Sequence, residues 1–133
     1  MPYSEQAATT GKTILVVEDS TTQALHLQGV LEEAGLQVVC AYDGRSGLEI
    51  AHRSHPDLIV LDVQMPDMNG FQVCQALRGA QDTKEIPVIM FTRHDDPEAV
   101  VLGLQVGVID YIPKDAFADA VLVETLRQMG LVN

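Results

Sequence analysis

The sequence is short of basic residues, and this shortage excludes some classes of partner. Eight Lys and Arg residues stand against 19 Asp and Glu residues, so the formal net charge is -11. A surface of this sign repels phosphate backbones and anionic lipid, which argues against direct binding of nucleic acid or of a membrane surface. The acidic excess suits divalent cations or the basic surfaces of partner proteins.

Cysteines are also few, and the apolar runs are short. Cys40 and Cys74 lie in apolar segments without the spacing of a metal site or a disulfide framework, so we expect reduced core thiols and a cytoplasmic protein. No apolar run approaches the roughly 20 residues of a membrane span. The N-terminal residues contain no hydrophobic segment of a signal peptide. We expect residues 1–11 to form a disordered tail and residues 12–133 to form one globular domain.

Short apolar runs alternate with segments of helical periodicity along the chain. Apolar and β-branched residues predict five buried strands, at residues 13–17, 36–41, 57–62, 86–92 and 108–114. Each run is followed by a predicted helix. Alternation with short connections predicts an α/β fold, a doubly wound five-stranded parallel sheet with helices on both faces. The chain is too short for a closed eight-stranded barrel.

The helix ends carry capping signals. Ser20, with Gln23 three residues on, is a capping-box pattern at the start of the first helix. Asp43 and Asp96 are predicted to cap the second and fourth helices. We expect the last two helices to pack through apolar stripes, which are Val100, Val101 and Leu104, then Ala118, Val121, Leu122, Thr125, Leu126 and Met129.

Polar residues stand where the predicted strands end. Glu18 and Asp19 close the first strand, and Asp62, Thr92 and Lys114 close the third, fourth and fifth. Open parallel sheets bind ligands at this edge. Three carboxylates in one crevice repel one another unless a cation lies among them, and Mg²⁺ suits such oxygen ligands. With Lys114 and Thr92 free to contact phosphoryl oxygens, the pattern predicts attack of a carboxylate on a phosphoryl group.

These segments resemble one family. "ILVVEDS", "LIVLDVQMPDMNG", "VIMFT" and "DYIPK" are similar to the acidic-pair, phosphoacceptor, switch-threonine and lysine motifs of response-regulator receiver domains from bacterial two-component signalling. The resemblance covers about residues 12 to 130. It implies the flavodoxin-like receiver fold and a phosphorylation-dependent signalling switch that promotes only its own phosphorylation and dephosphorylation.

The resemblance also implies which residues bind the phosphoryl group and the metal. Asp62 would accept the phosphoryl group from a phosphohistidine of a sensor histidine kinase or phosphotransfer protein. Mg²⁺ would be held by Asp19 directly, by Glu18 through water, by Asp62 and by the backbone carbonyl of Gln64.

Further roles follow from the same resemblance. Thr92 and Lys114 would contact the phosphoryl group, and Thr92 and Tyr111 would move together as the switch. Gln64 and His94 would flank the site and set the lifetime of the acyl phosphate. A downstream protein would read the face made by the fourth helix, fifth strand and fifth helix, and the protein would be a monomer or a phosphorylation-dependent dimer.

The segment around the lysine departs from the family pattern. Family members commonly place proline directly after the lysine, often with a cis peptide bond, whereas here Pro113 precedes Lys114 and Asp115 follows it. We expect Asp115 to cap the last helix. Pro113 removes a backbone donor, which predicts that the fifth strand lies at an edge of the sheet.

Two other functions and two contexts remain open. A Mg²⁺-dependent phosphohydrolase of the haloacid dehalogenase type also uses an aspartyl nucleophile, but with a second Asp where this chain has Gln64. The second alternative function is a docking module that has the receiver fold but is never phosphorylated. Because the chain stops soon after the last predicted helix, we expect either a stand-alone regulator, which is favoured, or a receiver from a longer kinase or regulator.

Overall fold

Strands and helices alternate through the whole of the described chain. The structure is a computed structural model that describes residues 9–133, so most of the predicted tail, residues 1–8, lies outside the described residues. The elements are β1 (Thr13–Val17), α1 (Thr21–Glu33), β2 (Gln37–Ala41), α2 (Gly44–Ser54), β3 (Leu58–Leu61), α3 (Gly70–Arg78), β4 (Val88–Thr92), α4 (Pro97–Gln105), β5 (Asp110–Pro113) and α5 (Ala118–Gln128). The observed strands after the first are one or two residues shorter than predicted at their ends, where the flanking residues keep single backbone hydrogen bonds to the neighbouring strand, such as that from Asp62 to the carbonyl of Val17.

The five strands form one parallel sheet in the order β2-β1-β3-β4-β5. In its register, Val17 at the end of β1 lies opposite Ala41 on one side and Leu61 on the other. From β1 the chain first builds outward to β2 and then, from β3, in the opposite direction. The crevice between the carboxyl ends of β1 and β3 is therefore the switch point where ligands bind in such sheets. The doubly wound flavodoxin-like fold is confirmed, and β5 is an edge strand, as Pro113 predicts.

Both faces of the sheet are covered, which explains why the strands are continuously apolar. Side chains alternate along each strand. Ile14 and Val16 pack with α1 and α5, and Leu15 and Val17 pack with the layer that contains α3. Cys74 is buried and Cys40 is half-buried, and both are free thiols. No helix among residues 9–133 is both long and apolar enough to cross a membrane.

The predicted apolar stripe of α4 is wrong. Val101 is 52% exposed and Leu104 is 55% exposed, whereas the buried residues of this helix are Ala99 and Gly103. A Cβ added at Gly103 would lie 2.9 Å from a ring carbon of Tyr111. The helix therefore approaches β5 through its smallest residues, and its larger apolar side chains lie on the opposite side.

Helix α5 agrees with its predicted stripe only in part. Ala118, Leu122 and Leu126 are buried, but Val121 and Met129 are exposed. The prediction that Asp115 caps this helix is also wrong, because α5 follows Phe117 without a side-chain cap. Asp115 Oδ1 instead accepts the backbone N–H of Phe117 at 2.8 Å and closes the turn before the helix.

The other predicted caps are present. The side chains of Ser20, Asp43 and Asp96 each accept a backbone N–H from the first turn of their helices. The reciprocal half of the capping box at Ser20 is absent, because the amide oxygen of Gln23 accepts a hydrogen bond from Lys114 Nζ. Gln23, which the sequence predicts to be part of a helix cap, therefore contacts Lys114 at the carboxyl edge of the sheet.

Candidate functional site

Three carboxylates meet at the switch point of the sheet. Glu18 and Asp19 follow β1, and Asp62 follows β3, the neighbouring strand. One carboxylate oxygen from each lies within 4.8 Å of the others. Glu18 and Asp62 are only 5% and 8% exposed, whereas Asp19 is exposed. The sheet thus brings together the acidic residues that the sequence placed at its strand ends.

Backbone donors hold the two buried carboxylates in place. The N–H of Ser20 donates to Glu18 Oε2 at 3.1 Å. The N–H of Gln64 donates to Asp62 Oδ1 at 3.2 Å. Each acceptor lies two residues before its donor, so the first turn after each strand orients the carboxylate toward the crevice.

Lys114 supplies the positive charge. Its Nζ donates to Asp62 Oδ2 at 2.9 Å, to Gln23 Oε1 at 2.6 Å and to Glu18 Oε1. The backbone N–H of Lys114 donates to the Thr92 carbonyl at 2.8 Å, which extends the pairing of β5 with β4 to the edge of the site. One ammonium group therefore contacts both buried carboxylates. Gln23 is the partner that sequence reasoning missed, since its spacing from Ser20 indicated only a cap.

The two buried carboxyl groups differ in pKa. Burial raises the pKa of Glu18 above its ordinary value, and the hydrogen bond from Lys114 offsets this only in part. Burial also acts to raise the pKa of Asp62, but hydrogen bonds from Thr92 and Lys114 and the charge of Lys114 outweigh it, so that pKa is lowered. Asp62 is therefore ionised at neutral pH, which is the state in which a carboxylate can act as a nucleophile.

Thr92 and Tyr111 are joined through the loop after β4. Thr92 is buried at the end of that strand, and its Oγ1 accepts the N–H of His94 at 3.2 Å. The hydroxyl of Tyr111 donates to the carbonyl of the same His94. Burial, with a smaller contribution from the negative charges of Asp96 and Asp62, raises the pKa of Tyr111 to about 12. Tyr111 therefore stays a protonated donor at neutral pH.

An open cleft of about 530 Å³ lies over the exposed carboxylate. Asp19, Gln64 and His94 line it, so both predicted lifetime-setting residues share the cleft with the exposed carboxylate. The loop after Asp62 also requires a glycine. A Cβ at Gly70 would lie 2.3 Å from the carbonyl oxygen of Asp62, so only glycine fits there. Asn69, just before Gly70, caps α3 and forms the reciprocal capping box of the chain's third helix.

The residues present fit a hard divalent cation. The cluster offers only oxygen ligands, because its three members are all carboxylates, and they are close enough to bind a single ion. Mg²⁺ prefers such oxygen ligands and usually takes one or two carboxylates together with phosphate oxygens and water. The cluster of Glu18, Asp19 and Asp62 is therefore suited to Mg²⁺ beside a phosphoryl group.

Sequence comparison agrees with this arrangement. The family model of the response regulator receiver domain matches residues 14–127. Protein PilH of Pseudomonas aeruginosa is 37% identical over 109 residues, which cover 82% of this chain and 90% of that protein. The alkaline phosphatase synthesis transcriptional regulatory protein PhoP of Bacillus subtilis is 43% identical over 103 residues, which cover 77% of this chain and 42% of that protein. The chain thus spans about two fifths of the length of PhoP and of similar transcriptional regulators.

Solved structures lead to the same family. The chemotaxis protein CheY4 of Vibrio cholerae superposes with a TM-score of 0.81 at 33% identity, covering 88% of this chain and 97% of that one. The receiver domain of sensor histidine kinase PA1611 of Pseudomonas aeruginosa, solved with a magnesium ion coordinated in its active-site cleft, superposes with a TM-score of 0.80 at 27% identity, covering 89% and 96%. The chain belongs to the family of response regulator receiver domains.

Proposed function

We propose that this chain is a phosphorylation-dependent switch of a two-component system in which Asp62 accepts a phosphoryl group from a phosphohistidine of a sensor histidine kinase or phosphotransfer protein. The observation that carries the proposal is the contact of Lys114 Nζ with Asp62 Oδ2, at 2.9 Å, inside a cluster of three carboxylates. An Asp that served only to cap the following turn would not require a lysine and two further acidic residues around it. The switch is assigned to residues 12–133 and to the cytoplasm.

In the proposed reaction, a carboxylate oxygen of Asp62 attacks phosphorus. The new O–P bond gives an acyl phosphate, and the P–N bond breaks with its electron pair passing to the imidazole nitrogen, which takes up a proton. Lys114 is placed to donate to the transferred group, because its Nζ already contacts the accepting side chain. Fixed positive charge at this position stabilises the charge that gathers on the phosphoryl oxygens.

Glu18, Asp19, Asp62 and the backbone carbonyl of Gln64 would hold Mg²⁺ in this proposal. The bound ion supplies further positive charge to the phosphoryl oxygens. The three carboxylates bring one oxygen each within 4.8 Å of the others, and Asp19 is exposed to solvent, where the ion can enter. Lys114 contacts both buried carboxyl groups in the absence of the ion and offsets part of their negative charge.

The signal leaves the site through Thr92 and Tyr111. When the hydroxyl of Thr92 bonds the phosphoryl group, the loop at His94 is displaced, and Tyr111 is hydrogen-bonded to that loop. The change alters the face formed by α4, β5 and α5, which a downstream protein reads. Gln64 and His94 set the lifetime of the acyl phosphate by controlling the access of water, since both line the open cleft.

Intact mass after incubation with a small phosphodonor and Mg²⁺ tests the assignment. The chain should gain one phosphoryl group, and Asp62→Asn should prevent the gain. Asp67→Asn is the matched control, because Asp67 lies in the loop after Asp62 with a positive φ of 68° that asparagine tolerates. An Asp62→Asn protein that gains the same mass at the same rate would show that another residue is the acceptor.

The same assay separates the alternative functions. A wild-type chain that gains no phosphoryl group, with Mg²⁺ bound, would indicate a docking module. Fast multiple-turnover release of phosphate from p-nitrophenyl phosphate, without accumulation of the acyl phosphate, would indicate a phosphohydrolase. We expect a slow release limited by hydrolysis of the acyl phosphate, because Gln64 replaces the second acid that such enzymes use.

A further inference from the structure

Every hydrogen of the Lys114 ammonium group has an acceptor in the structure. A lysine ammonium group has three N–H donors and no acceptor. That of Lys114 donates to Asp62 Oδ2 at 2.9 Å, to Gln23 Oε1 at 2.6 Å and to Glu18 Oε1. Only 13% of the Lys114 side chain is exposed. Lys114 therefore has a donor for a phosphoryl oxygen only when one of these acceptors gives way.

Two of the three acceptors change their partners in the proposed reaction. Asp62 gives a carboxylate oxygen to phosphorus, and Glu18 belongs to the carboxylate cluster that would hold Mg²⁺. Gln23 takes no part in either event, because its amide is neutral and does not belong to that cluster. Gln23 is therefore the acceptor that can hold Lys114 throughout the reaction.

Helix α1 leaves the side chain of Gln23 available for this contact. Gln23 lies in the first turn of the helix, where its backbone N–H donates to Ser20 Oγ at 3.3 Å. A complete capping box would direct the amide oxygen of Gln23 back to the N–H of Ser20. That N–H instead donates to Glu18 Oε2 at 3.1 Å. The turn that orients Glu18 thus also frees the amide oxygen of Gln23 for Lys114.

We propose that Gln23 is a positioning residue for phosphoryl transfer, which holds the ammonium group of Lys114 at the site through a neutral acceptor. The inference rests on the proposed function for the reaction itself. A lysine ammonium group lies on a flexible four-carbon stem and needs to be held if it is to keep one position. A neutral amide holds it without cancelling the positive charge that stabilises the phosphoryl oxygens. Small displacements of such a group reduce the rate.

The surroundings of Gln23 indicate what happens when its amide is removed. Gln23 and Lys114 both line a second cleft, of about 370 Å³, between α1 and the start of α5. Phe91 forms part of the wall of this cleft, and Lys114 Nζ lies 6.0 Å from the centre of its ring. An aromatic ring attracts an ammonium group electrostatically but does not replace an amide oxygen as acceptor. Without the amide, one N–H of Lys114 would therefore turn to water in the second cleft.

NMR of the lysine side chains in the full, ¹⁵N-labelled chain measures this placement. The chain has three lysines, and Lys12 and Lys84 are exposed, so a slowly exchanging ammonium signal is that of Lys114. We expect this signal in the wild type, both free and with Mg²⁺ and beryllofluoride as the phosphoryl mimic. Gln23→Leu should make these hydrogens exchange with water roughly tenfold faster in both states. Intact-mass kinetics with a small phosphodonor and Mg²⁺ should show phosphorylation slowed roughly tenfold.

Gln23→Glu separates placement from charge. Glutamate has the length of glutamine and offers the same acceptor, so the slow exchange of the Lys114 hydrogens should be retained. Its negative charge would lie beside the ammonium group and oppose the binding of an anionic group. We therefore expect phosphorylation to slow roughly tenfold and the affinity for beryllofluoride to fall. Fast exchange in this variant would contradict the role of the acceptor.

Gln28→Leu is the matched control. Gln28 is a half-buried glutamine of the same helix, and its amide donates to Glu32 within α1 at 3.1 Å. The control should change neither the exchange of the Lys114 hydrogens nor the phosphorylation rate. Equal effects of the control and of Gln23→Leu would overturn the inference. A Gln23→Leu chain that loses only thermal stability, with exchange and rate unchanged, would overturn it too.

Failure of the proposed function gives a different result. A wild-type chain that gains no phosphoryl group would overturn the proposed function, and faster exchange in Gln23→Leu would then still show that Gln23 holds Lys114. Faster exchange in Gln23→Leu without slower phosphorylation would overturn the positioning role and leave the proposed function standing. Faster exchange together with slower phosphorylation supports both.

Discussion

Lys114 compensates two buried carboxylates with one ammonium group. Its side chain contacts Glu18 and Asp62, both of which are nearly excluded from water. Burial of an ion pair gives little net stability, but loss of one partner leaves a buried charge without compensation. The cation of the proposed reaction is therefore also the cation that stabilises the fold at this edge of the sheet.

Replacement of Lys114 by methionine should destabilise the chain in the absence of Mg²⁺, by about 3 kcal/mol, because two carboxylates then share a crevice without a cation. Added Mg²⁺ should restore part of the loss by binding the folded state. Urea denaturation with EDTA and with Mg²⁺ measures both effects. Arg93→Met is the control, since Arg93 lines a second cleft together with Lys114, between α1 and the start of α5, but is exposed. A variant at position 114 as stable as this control would show that Lys114 is not the compensating charge.

At the scale of the helices, two glycines allow the effect of helix propensity on stability to be distinguished from the effect of side-chain packing. Gly29 lies within α1 and a Cβ there would meet nothing within 4 Å, whereas a Cβ at Gly103 in α4 would lie 2.9 Å from the ring of Tyr111. Gly29→Ala should stabilise the chain by roughly 1 kcal/mol because alanine is the better helix former. Gly103→Ala should show no such gain and should move the Tyr111 ring signals in NMR spectra. Equal stabilisation by both would show that α4 does not pack tightly on Tyr111.

The cap of α2 predicts a dependence on pH. The backbone N–H of Ser46 donates to Asp43 and lowers the pKa of that carboxyl below its ordinary value of about 3.8. A lowered pKa in the folded state means that the stabilisation is present above the unfolded value and is lost as pH falls through the folded value. Asp43→Ala should lower the Tm at neutral pH, and the gap to wild type should close in acid.

Asp43→Asn separates the charge from the hydrogen bond. Asparagine is an equally good N-cap but does not titrate, so its Tm relative to the alanine variant should stay constant over the same pH range. Thermal unfolding of the three proteins at a series of pH values measures this. A gap between wild type and the alanine variant that stays unchanged down to the lowest pH would mean that ionisation of Asp43 adds nothing to the stability of the cap.

Over the whole molecule, the proposed switch is a shift between two populations of conformations. The phosphoryl group must favour the rearranged loop, and a few kcal/mol of preference inverts a two-state equilibrium. Beryllofluoride should therefore shift the backbone NMR signals of residues 92–117, and Thr92→Ala should largely remove those shifts while the site stays occupied. Thr92 is chosen because its hydroxyl helps to lower the pKa of Asp62 and accepts the backbone N–H of His94. Shifts confined to the loop after Asp62 would mean that α4, β5 and α5 do not carry the output.

Local signals in the sequence specify the order of elements, most of the helix caps and the edge of the sheet at which the polar residues gather. These features depend on signals within a few residues, such as Asp43 with Ser46 or the alternation of apolar runs with amphipathic segments. Once strands and helices alternate, every residue that ends a parallel strand lies at one edge of the sheet. The proximity of Asp62 to Lys114 therefore followed from the pattern, although 52 residues separate them.

Tertiary structure decided which side of each late helix is buried and how the site is completed. Val101 and Leu104 have the apolar character of core residues, yet they are exposed because Gly103 allows α4 to approach Tyr111 on the other side. Gln23 lies next to a helix start but bonds to Lys114, which arrives from the far end of the chain. In both cases the outcome depends on a partner that is distant in sequence, and local pattern carries no information about that partner's position.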